Sequence, residues 1–402
     1  MNEKLIAALD LGSGTIKFAI AELDDNGPVI VGFGTALSRG VDRGAVVDLE
    51  KASESIAKAR EQAENMCGKK VSTVFSTVSG IHINSVNNKG TIVVSREGRE
   101  ITREDVRRAE ESAKVIMLQP NQEIIHVLPR QFIIDGQGGI RNPIGMAGIK
   151  FEEEVHIVTG SSTVLRNIKR SVKNAGLEVG EFVLQSFASS YSALREEEKE
   201  LGVTLIDLGA GTADIISFAE GNIQFTEIFP MAGAYITRDL AYVLKIPLNK
   251  AEEIKKRYGF VITNDDEIEG EIEVEGIAGN KNVMVPKMQI GEIITSRVEE
   301  IFENIRFQLT KKGYWSNMNA GIVLTGGSAN LQGIDKKAQE ILELPVRIGY
   351  PGDEGVSIGA IKKPENAAIV GLINYAKSKG ISRKHSFGEW KDLSWLKDIF
   401  GF

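Results

Sequence analysis

Two short segments of this chain place an aspartate directly before a glycine-rich turn. They are Asp10-Leu-Gly-Ser-Gly-Thr15 and Asp207-Leu-Gly-Ala-Gly-Thr212, and they lie 197 residues apart. Glycines in such turns leave backbone N–H groups unobstructed, and these groups can bind phosphate oxygens. An aspartate at a strand end supplies a hard oxygen ligand for Mg²⁺. Either turn alone would be an ordinary hairpin, but the repeat predicts a nucleotide held with Mg²⁺ between two similar hairpins.

The predicted ligand contacts follow from this repeat. Asp10 and Asp207 are the predicted metal ligands. Lys17 either adds a positive charge beside the phosphates or is an ordinary surface lysine. The residues predicted to contact the phosphates are Gly12, Ser13, Gly14, Thr15, Lys17, Gly209, Ala210, Gly211, Thr212 and Asp214.

Apolar runs on both sides of each turn show how these residues are positioned. Residues 5–9 and 16–21 flank the first turn, and residues 203–206 and 215–218 flank the second. Strand–turn–strand differs from the Rossmann and Walker loops, in which the glycine-rich loop opens a helix. The repeat therefore predicts two similar lobes that face each other.

Hydrophobic periodicity predicts the elements between and after the repeats. A compact α+β insertion is expected over residues 84–162, with prolines marking its turns. Thr102 and Asp105 have the spacing of a helix-capping pair. The predicted helices cover residues 49–66, 102–118, 163–174, 238–244, 250–258 and 291–312, with one more ending near Leu342, and the predicted strands cover residues 81–94, 124–134, 268–274 and 322–324.

Composition excludes several classes of protein. Hydrophobic residues make up 42% and charged residues 26% of the 402 residues, as in soluble globular proteins. The net charge of -7 argues against a nucleic-acid-binding protein. Cys67 is the only cysteine and the four histidines are scattered, so neither a disulfide nor a zinc site is expected. No apolar run is long enough to span a bilayer, which predicts a cytoplasmic protein.

The last residues differ from the rest of the chain. Residues 377–402 carry a net charge of +3, whereas the remainder carries -10. Helical spacing from Trp390 onward places apolar side chains on one face, which predicts an amphipathic helix at an anionic membrane surface. A terminal helix packed on its own protein has the same pattern. The predicted membrane residues are Trp390, Leu393, Trp395, Leu396, Ile399, Phe400 and Phe402.

With a third glycine turn at residues 326–330, the phosphate loops resemble those of the actin, Hsp70 and sugar-kinase superfamily. The resemblance implies that Glu253 and Lys256 contact ribose and base. It also places Glu181 where actin-like ATPases position the attacking water, and Glu181 and Asp207 are therefore the predicted catalytic residues. The residues implied to pack against adenosine are Gly326, Gly327, Ser328 and Asn330.

Further segments resemble the FtsA family of bacterial cell-division proteins over essentially the whole chain. Residues 187–194, 320–327 and 345–349 carry this resemblance in the two lobes. Residues 126–129, 140–145 and 155–157 carry it inside the insertion, which other actin-like proteins lack. The chain departs from the family at Ala210, where a third glycine is more usual.

The resemblance implies an α/β, actin-like, two-lobed ATPase fold with duplicated βαβ-type lobes. An α+β subdomain would replace part of the first lobe, and an amphipathic helix would follow at the C-terminus. The implied boundaries are 1–83, 163–195 and 362–376 for the first-lobe core (IA), 84–162 for the insertion (1C), 196–231 and 300–361 for the second-lobe core (IIA), 232–299 for its small subdomain (IIB), and 377–402 for the basic linker and membrane helix.

The implied function is attachment more than turnover, with at most a weak ATPase activity. Such a protein binds ATP and Mg²⁺, polymerises on the inner face of the cytoplasmic membrane, and holds the C-terminal peptide of the tubulin-like division-ring protein FtsZ there at the division site. It would then help to recruit later division proteins. Arg297 is the predicted contact with that peptide, or else part of a surface ion pair. Two alternatives stay open: a pilus-assembly-type adaptor and a sugar-kinase-type phosphotransferase.

Overall fold

The computed structural model describes residues 5–24, 27–263, 268–274, 282–315, 318–352 and 361–380. The predicted membrane segment 390–402 lies outside these residues. Eighteen strands occur in the described part of the chain: β1 Leu5–Leu11, β2 Thr15–Asp24, β3 Gly27–Leu37, β4 Val41–Asp42, β5 Ala45–Val46, β6 Thr73–Val78, β7 Asn84–Val93, β8 Gln122–Ile134, β9 Gln137–Ile140, β10 Lys150–Ser161, β11 Glu178–Leu184, β12 Val203–Leu208, β13 Ala213–Ala219, β14 Asn222–Phe229, β15 Glu271–Val274, β16 Val283–Pro286, β17 Ile322–Thr325 and β18 Val346–Ile348.

Ten α-helices accompany the strands in the described residues. They are α1 Leu49–Cys67, α2 Arg103–Ala113, α3 Ser162–Asn174, α4 Gln185–Ala193, α5 Glu196–Leu201, α6 Gly233–Leu244, α7 Leu248–Tyr258, α8 Lys287–Lys311, α9 Ile334–Leu342 and α10 Ala367–Ser378. Short 3₁₀ turns cover Gly327–Asn330 and Pro364–Asn366.

The two lobes have sheets of the same connectivity. The first-lobe sheet has the order β11-β6-β1-β2-β3, and the second-lobe sheet has the order β14-β13-β12-β17-β18. In both, an antiparallel three-strand meander continues into parallel strands. The duplicated, two-lobed α/β architecture predicted from the repeated motif is therefore confirmed.

An inserted sheet separates β6 from α3 of the first lobe along the chain. Its order is β7-β10-β8-β9, all antiparallel, and α2 packs against it. The Thr102 hydroxyl caps the backbone N–H of Asp105, and the Asp105 carboxylate bonds back to the Thr102 N–H, so the predicted capping pair is confirmed. The helix ends at Ala113, earlier than predicted, because Val115 and Met117 project into solvent instead of extending its buried face.

Helices α4 and α10 pack between the two large sheets. Their apolar side chains share one core with residues of both lobes, including Leu205 and Val323 of the second lobe. A Cβ on Gly371 would lie 1.9 Å from the Ala188 carbonyl oxygen, so only glycine permits this approach of the two helices. The sheet edges that carry the glycine turns are thereby held facing each other.

The insertion also contacts the second lobe directly, along edge strand β14. The Arg130 guanidinium donates to the Ile223 carbonyl at 2.9 Å, and the Asn87 amide donates to the Gln224 carbonyl at 3.1 Å. The buried His156 ring lies 2.9 Å from the Thr226 hydroxyl. The Arg130 and Asn87 bonds cover carbonyls that the edge strand would otherwise expose.

Candidate functional site

The two glycine turns meet at the centre of the cleft between the lobes. Each turn joins a pair of antiparallel strands, so that Asp10 is paired with Lys17 and Asp207 is paired with Asp214. A Cβ on Gly14 would lie 2.9 Å from the Ala210 Cβ. The two predicted phosphate loops therefore face each other at contact distance.

Close approach, and not backbone conformation, explains the glycines in these turns. A Cβ on Gly211 would lie 2.8 Å from the Ser13 hydroxyl oxygen, and one on Gly12 would lie 2.7 Å from the Thr15 carbonyl oxygen. None of these glycines has a positive φ, and neither does Ala210. The alanine that departs from the family pattern is therefore accommodated without backbone strain.

Asp10 and Asp207 are both buried at the ends of their strands. Asp10 accepts a hydrogen bond from the Thr77 hydroxyl at 3.1 Å and lies 3.3 Å from the Lys17 ammonium. Asp207 accepts one from the Ser189 hydroxyl at 2.5 Å. Burial, reinforced by the nearby Asp10 charge, raises the pKa of Asp207 to about 6 despite the Ser189 bond.

Asp214 is a third buried carboxylate in the same cleft. It accepts hydrogen bonds from the Ser79 hydroxyl at 2.5 Å and from the Thr212 hydroxyl at 2.7 Å. Burial, together with the charges of Asp207 and Asp10, raises its pKa to about 7. Three buried carboxylates lie beside the Lys17 ammonium, and a bound cation would relieve the repulsion among them.

The donor set suits Mg²⁺ that is bound partly through other ligands. Carboxylate oxygens are its preferred protein ligands, and it commonly keeps several waters and substrate phosphates in its coordination shell. Within the described residues, no three His, Cys, Asp or Glu side chains come close enough to bind a metal by themselves. Asp10 and Asp207 would therefore orient the ion, and phosphate oxygens cradled by the two turns would complete its coordination.

The third glycine turn borders the same cleft. The Ser328 hydroxyl donates to the Gly209 carbonyl at 3.1 Å, and a Cβ on Gly326 would lie 2.4 Å from an Asp207 carboxylate oxygen. Asn330 donates to the Glu365 carboxylate, and Lys17 donates to the Glu365 carbonyl. The three turns are thus linked around one space. A Cβ on Gly327 would have no neighbour within 4 Å, so this glycine borders that space.

Helix α7 does not bring Glu253 and Lys256 to this space. Glu253 pairs with Lys250 at 3.3 Å, and both Glu253 and Lys256 are exposed. The buried face of the helix includes Ala251 and Ile254, which turns positions 253 and 256 toward solvent.

Glu252 and Lys255, one residue earlier in each case, face the cleft instead. The buried Lys255 ammonium donates to the Gly233 carbonyl at 3.0 Å and to the Thr237 hydroxyl at 2.8 Å, and it pairs with Glu252 at 2.7 Å. A Cβ on Gly233 would contact the Ser328 hydroxyl, which places this pair beside the third turn. The spacing of the apolar residues Ala251 and Ile254, which marks the buried face of the helix, could have identified this pair from the sequence.

Glu181 also lies apart from the other predicted site residues. It sits in the middle of β11, paired with Phe75, and its carboxylate accepts a hydrogen bond from the Tyr375 hydroxyl at 2.5 Å. Gln185, directly after the strand, reaches the cleft, and its amide lies 3.4 Å from the Asp207 carboxylate. Because a parallel strand delivers side chains to the site at its carboxyl end, Gln185 lies beside the cleft and Glu181 does not.

Arg297 lies on α8, away from the cleft. Its guanidinium binds the Asp239 carboxylate through two hydrogen bonds, of 2.5 and 3.0 Å, and also pairs with Glu300. It lies 5.7 Å from the centre of the Tyr235 ring. The residue thus links α8 to α6, with about a fifth of its side chain exposed.

A two-lobed α/β fold with paired glycine hairpins in the cleft defines the actin-like class, and comparison with solved structures agrees. The chain resembles the type IV pilus biogenesis complex PilM–PilN, with a TM-score of 0.66 and 15% identity, over 92% of this chain and 97% of that one. It also resembles MreB5 of Spiroplasma citri bound to ADP, with a TM-score of 0.57 and 15% identity, over 95% and 99% of the two chains.

Sequence comparison defines the family within this class. The family model described as "Cell division protein FtsA" matches residues 204–371, and the one described as "SHS2 domain inserted in FTSA" matches residues 80–159. The chain is 39% identical to the cell division protein FtsA of Borreliella burgdorferi, over 93% of the chain and 91% of that protein. It is 33% identical to FtsA of Escherichia coli strain K12 over 99% of both. The chain therefore belongs to the FtsA family of actin-like cell-division proteins.

Proposed function

We propose that this protein binds ATP with Mg²⁺ between its lobes and forms filaments on the inner face of the cytoplasmic membrane. On that surface it holds the C-terminal peptide of FtsZ, and it helps to recruit later division proteins. The observation that carries the proposal is the contact between the two glycine turns, with Asp10, Asp207 and Asp214 beside them. Phosphates bound by both turns would join the lobes, so nucleotide would set the angle between them.

Chemistry at the site would be slow or absent unless a water is positioned. Gln185 supplies an uncharged amide beside Asp207, which can orient a water but is a poor general base. Lys17 and the backbone N–H groups of the turns would stabilise phosphate charge. The protein would thus act through the nucleotide that it holds more than through turnover, with at most a weak ATPase activity.

Attachment to the membrane is assigned to residues 390–402, whose pattern is amphipathic. No helix of the described part is long and apolar enough to cross a bilayer. A peripheral attachment through this segment would place the protein on the cytoplasmic side of the membrane at the division site.

The test is reconstitution with lipid vesicles, ATP, Mg²⁺ and purified FtsZ. The full chain should pellet with anionic vesicles and carry FtsZ with it, whereas a chain ending at Lys379 should stay in solution. FtsZ without its C-terminal peptide is the matched control and should not be carried down. Vesicle binding by the shortened chain would contradict the assignment of the anchor, and equal recruitment of shortened FtsZ would contradict the assignment of the peptide.

Arg297 can be tested in the same assay. Arg297→Ala should weaken FtsZ recruitment, and Arg306→Ala on the same helix is the control, since Arg306 also pairs with a carboxylate. Asp239→Asn, which removes a charge partner of Arg297, shows whether loss of the internal ion pair alone accounts for the effect. Equal recruitment by the Arg297 and Arg306 variants would remove Arg297 from the proposed contact.

A further inference from the structure

Four cationic side chains project from helix α3. Arg166, Lys169, Arg170 and Lys173 are all exposed, and α3 contains no acidic residue. We call these four residues the α3 basic face. It carries +4 in a chain whose net charge is -7. None of the four forms an ion pair with a carboxylate of the described residues.

This pattern is unfavourable within the isolated protein. Arg166 lies three and four positions before Lys169 and Arg170, and Lys173 lies four and three positions after them. Like charges at these spacings destabilise a helix. Some cations of the lobe do have partners, such as Lys69 with Glu22 at 2.6 Å. The α3 basic face instead gathers four exposed cations on one helix that has no acidic residue, so it suits an external anionic surface.

Edge strand β11 places the α3 basic face close to the end of α10. On one side of the strand, the Lys169 ammonium lies 5.4 Å from the centre of the Phe182 ring. On the other side, Tyr375 of α10 donates to Glu181, and the Lys379 ammonium lies 5.3 Å from the Tyr375 ring centre. Adjacent strand residues point to opposite faces of a sheet, so α3 and α10 flank β11 at the same level.

The predicted membrane segment can reach the same surface. Helix α10 ends at Ser378, and only nine residues separate Gly380 from Trp390. Nine residues span at most about 30 Å. Helices are about 10–12 Å across, so two helices and the strand between them come within the reach of an extended linker of this length. One plane can therefore contact both residues 390–402 and the α3 basic face.

We propose that the α3 basic face is a second membrane contact, which rests on anionic lipid headgroups beside the anchor segment. This inference rests on the proposed function. Anionic lipid attracts Lys and Arg side chains that lie near its surface. The adjacent exit of the anchor favours a lipid surface over an acidic protein. The contact would fix one side of the first lobe toward the bilayer and so orient the cleft and the insertion relative to it.

The experiment compares three full-length variants in vesicle pelleting, with vesicles of phosphatidylcholine alone or with one third phosphatidylglycerol. The first is R166Q/K169Q/R170Q/K173Q. The second, R166K/K169R/R170K/K173R, keeps every charge. The third, K245Q/R257Q/K311Q/K336Q, removes the same number of exposed charges from the second lobe.

The first variant should bind anionic vesicles at least tenfold more weakly than the unchanged chain, and with a shallower dependence on salt. The charge-keeping and second-lobe variants should stay within about twofold, and neutral vesicles should not distinguish the four proteins. Equal weakening by the second-lobe variant, or no weakening by the first, overturns the inference. If the unchanged chain itself fails to bind vesicles, the result contradicts the proposed membrane attachment. That outcome is therefore distinct from one that contradicts only the role of the α3 basic face.

Discussion

The Ser79 hydroxyl of the first lobe donates a hydrogen bond to the Asp214 carboxylate of the second lobe, with 2.5 Å between the two oxygens. Ser79 follows β6 and is the residue directly before the matched inserted domain. The same hydroxyl lies 3.1 Å from that of Thr212 in the second glycine turn. One serine therefore joins the phosphate-side turn of one lobe to the root of the insertion in the other.

Asp214 should make the nucleotide-free protein less stable as the pH rises. Its pKa is raised to about 7 in the folded protein, so the folded state binds this proton more tightly than the unfolded chain does. The resulting stabilisation is complete below the ordinary aspartate pKa near 4 and is lost as the pH rises through 7. Asp214→Asn should therefore be more stable than the unchanged chain by about 2 kcal/mol at pH 8, with the gap closing toward pH 5. Urea unfolding of both proteins without Mg²⁺ measures this difference, and a gap that widens toward pH 5 would contradict it.

The contact between the glycine turns predicts a mutation and its rescue. Gly14→Ala would place a Cβ 2.9 Å from that of Ala210, and overpacking of this kind costs about 1–3 kcal/mol. ATP affinity, measured by titration calorimetry, should fall about tenfold for the loss of roughly 1.4 kcal/mol.

The double variant Gly14→Ala with Ala210→Gly should regain most of that affinity, because it removes the opposing Cβ. Gly352→Ala is the matched control, because Gly352 is not among the predicted nucleotide contacts and a Cβ there would meet only the Ser192 carbonyl oxygen, at 3.8 Å. If Gly352→Ala weakens binding as much as Gly14→Ala, the turns do not act through their mutual contact.

Helix α7 predicts that neighbouring lysines differ in importance. Lys255→Ala would leave the partly buried Glu252 without its closest cation, and it should lower ATP affinity and also cost about 2–3 kcal/mol of stability. The exposed Lys256→Ala should change stability by less than about 0.5 kcal/mol. Thermal unfolding and ATP titration of the two variants, made side by side, give the comparison. If Lys256→Ala instead had the larger effect, the contacts first predicted from the sequence, Glu253 and Lys256, would be favoured.

The seam between the insertion and β14 predicts a second pH-dependent difference, of opposite sign. Burial, aided by the nearby Arg130 charge, lowers the pKa of His156 to about 3. The folded protein therefore favours the neutral ring of His156. This costs no stability above the ordinary histidine pKa near 6.5, and the free energy of unfolding decreases as the pH falls below that value. His156→Gln should be less stable than the unchanged chain by about 2 kcal/mol at pH 7.5, because Thr226 and Asn87 lose their partner.

The gap between the His156→Gln variant and the unchanged chain should shrink toward pH 5, because glutamine does not titrate. Urea unfolding across this range measures it. His82→Gln is the comparison, since the His82 ring is less buried and is bonded within the first lobe. A gap that is constant with pH would mean that His156 acts through packing alone.

The sequence predicted the parts of the site that depend on local pattern. Asp10 and Asp207 could be identified because a strand, a turn and a returning strand fix their register within a few residues. The capping pair in α2 was equally local. The predicted contacts Glu253 and Lys256 are each one residue too late, because the resemblance alone does not say which face of α7 is buried. Glu252 and Lys255 lie at the cleft instead.

Other features depend on contacts between distant parts of the chain. Gln185 was not predicted because its position beside the cleft depends on where β11 ends. The Ser79 bond to Asp214 joins residues 135 positions apart in different lobes, and no spacing rule in the sequence connects them. The close contact of Gly14 with Ala210 likewise appears only when the lobes are docked by α4 and α10.

The central claim is that both lobes grip one nucleotide with Mg²⁺, and calorimetric titration of the full chain with ATP tests it most directly. The account predicts one ATP per chain, an affinity that falls when Mg²⁺ is chelated, and about tenfold weaker binding in both Asp10→Asn and Asp207→Asn, one from each lobe. Binding that is insensitive to Mg²⁺, or that depends on only one of the two aspartates, would contradict a site shared between the lobes.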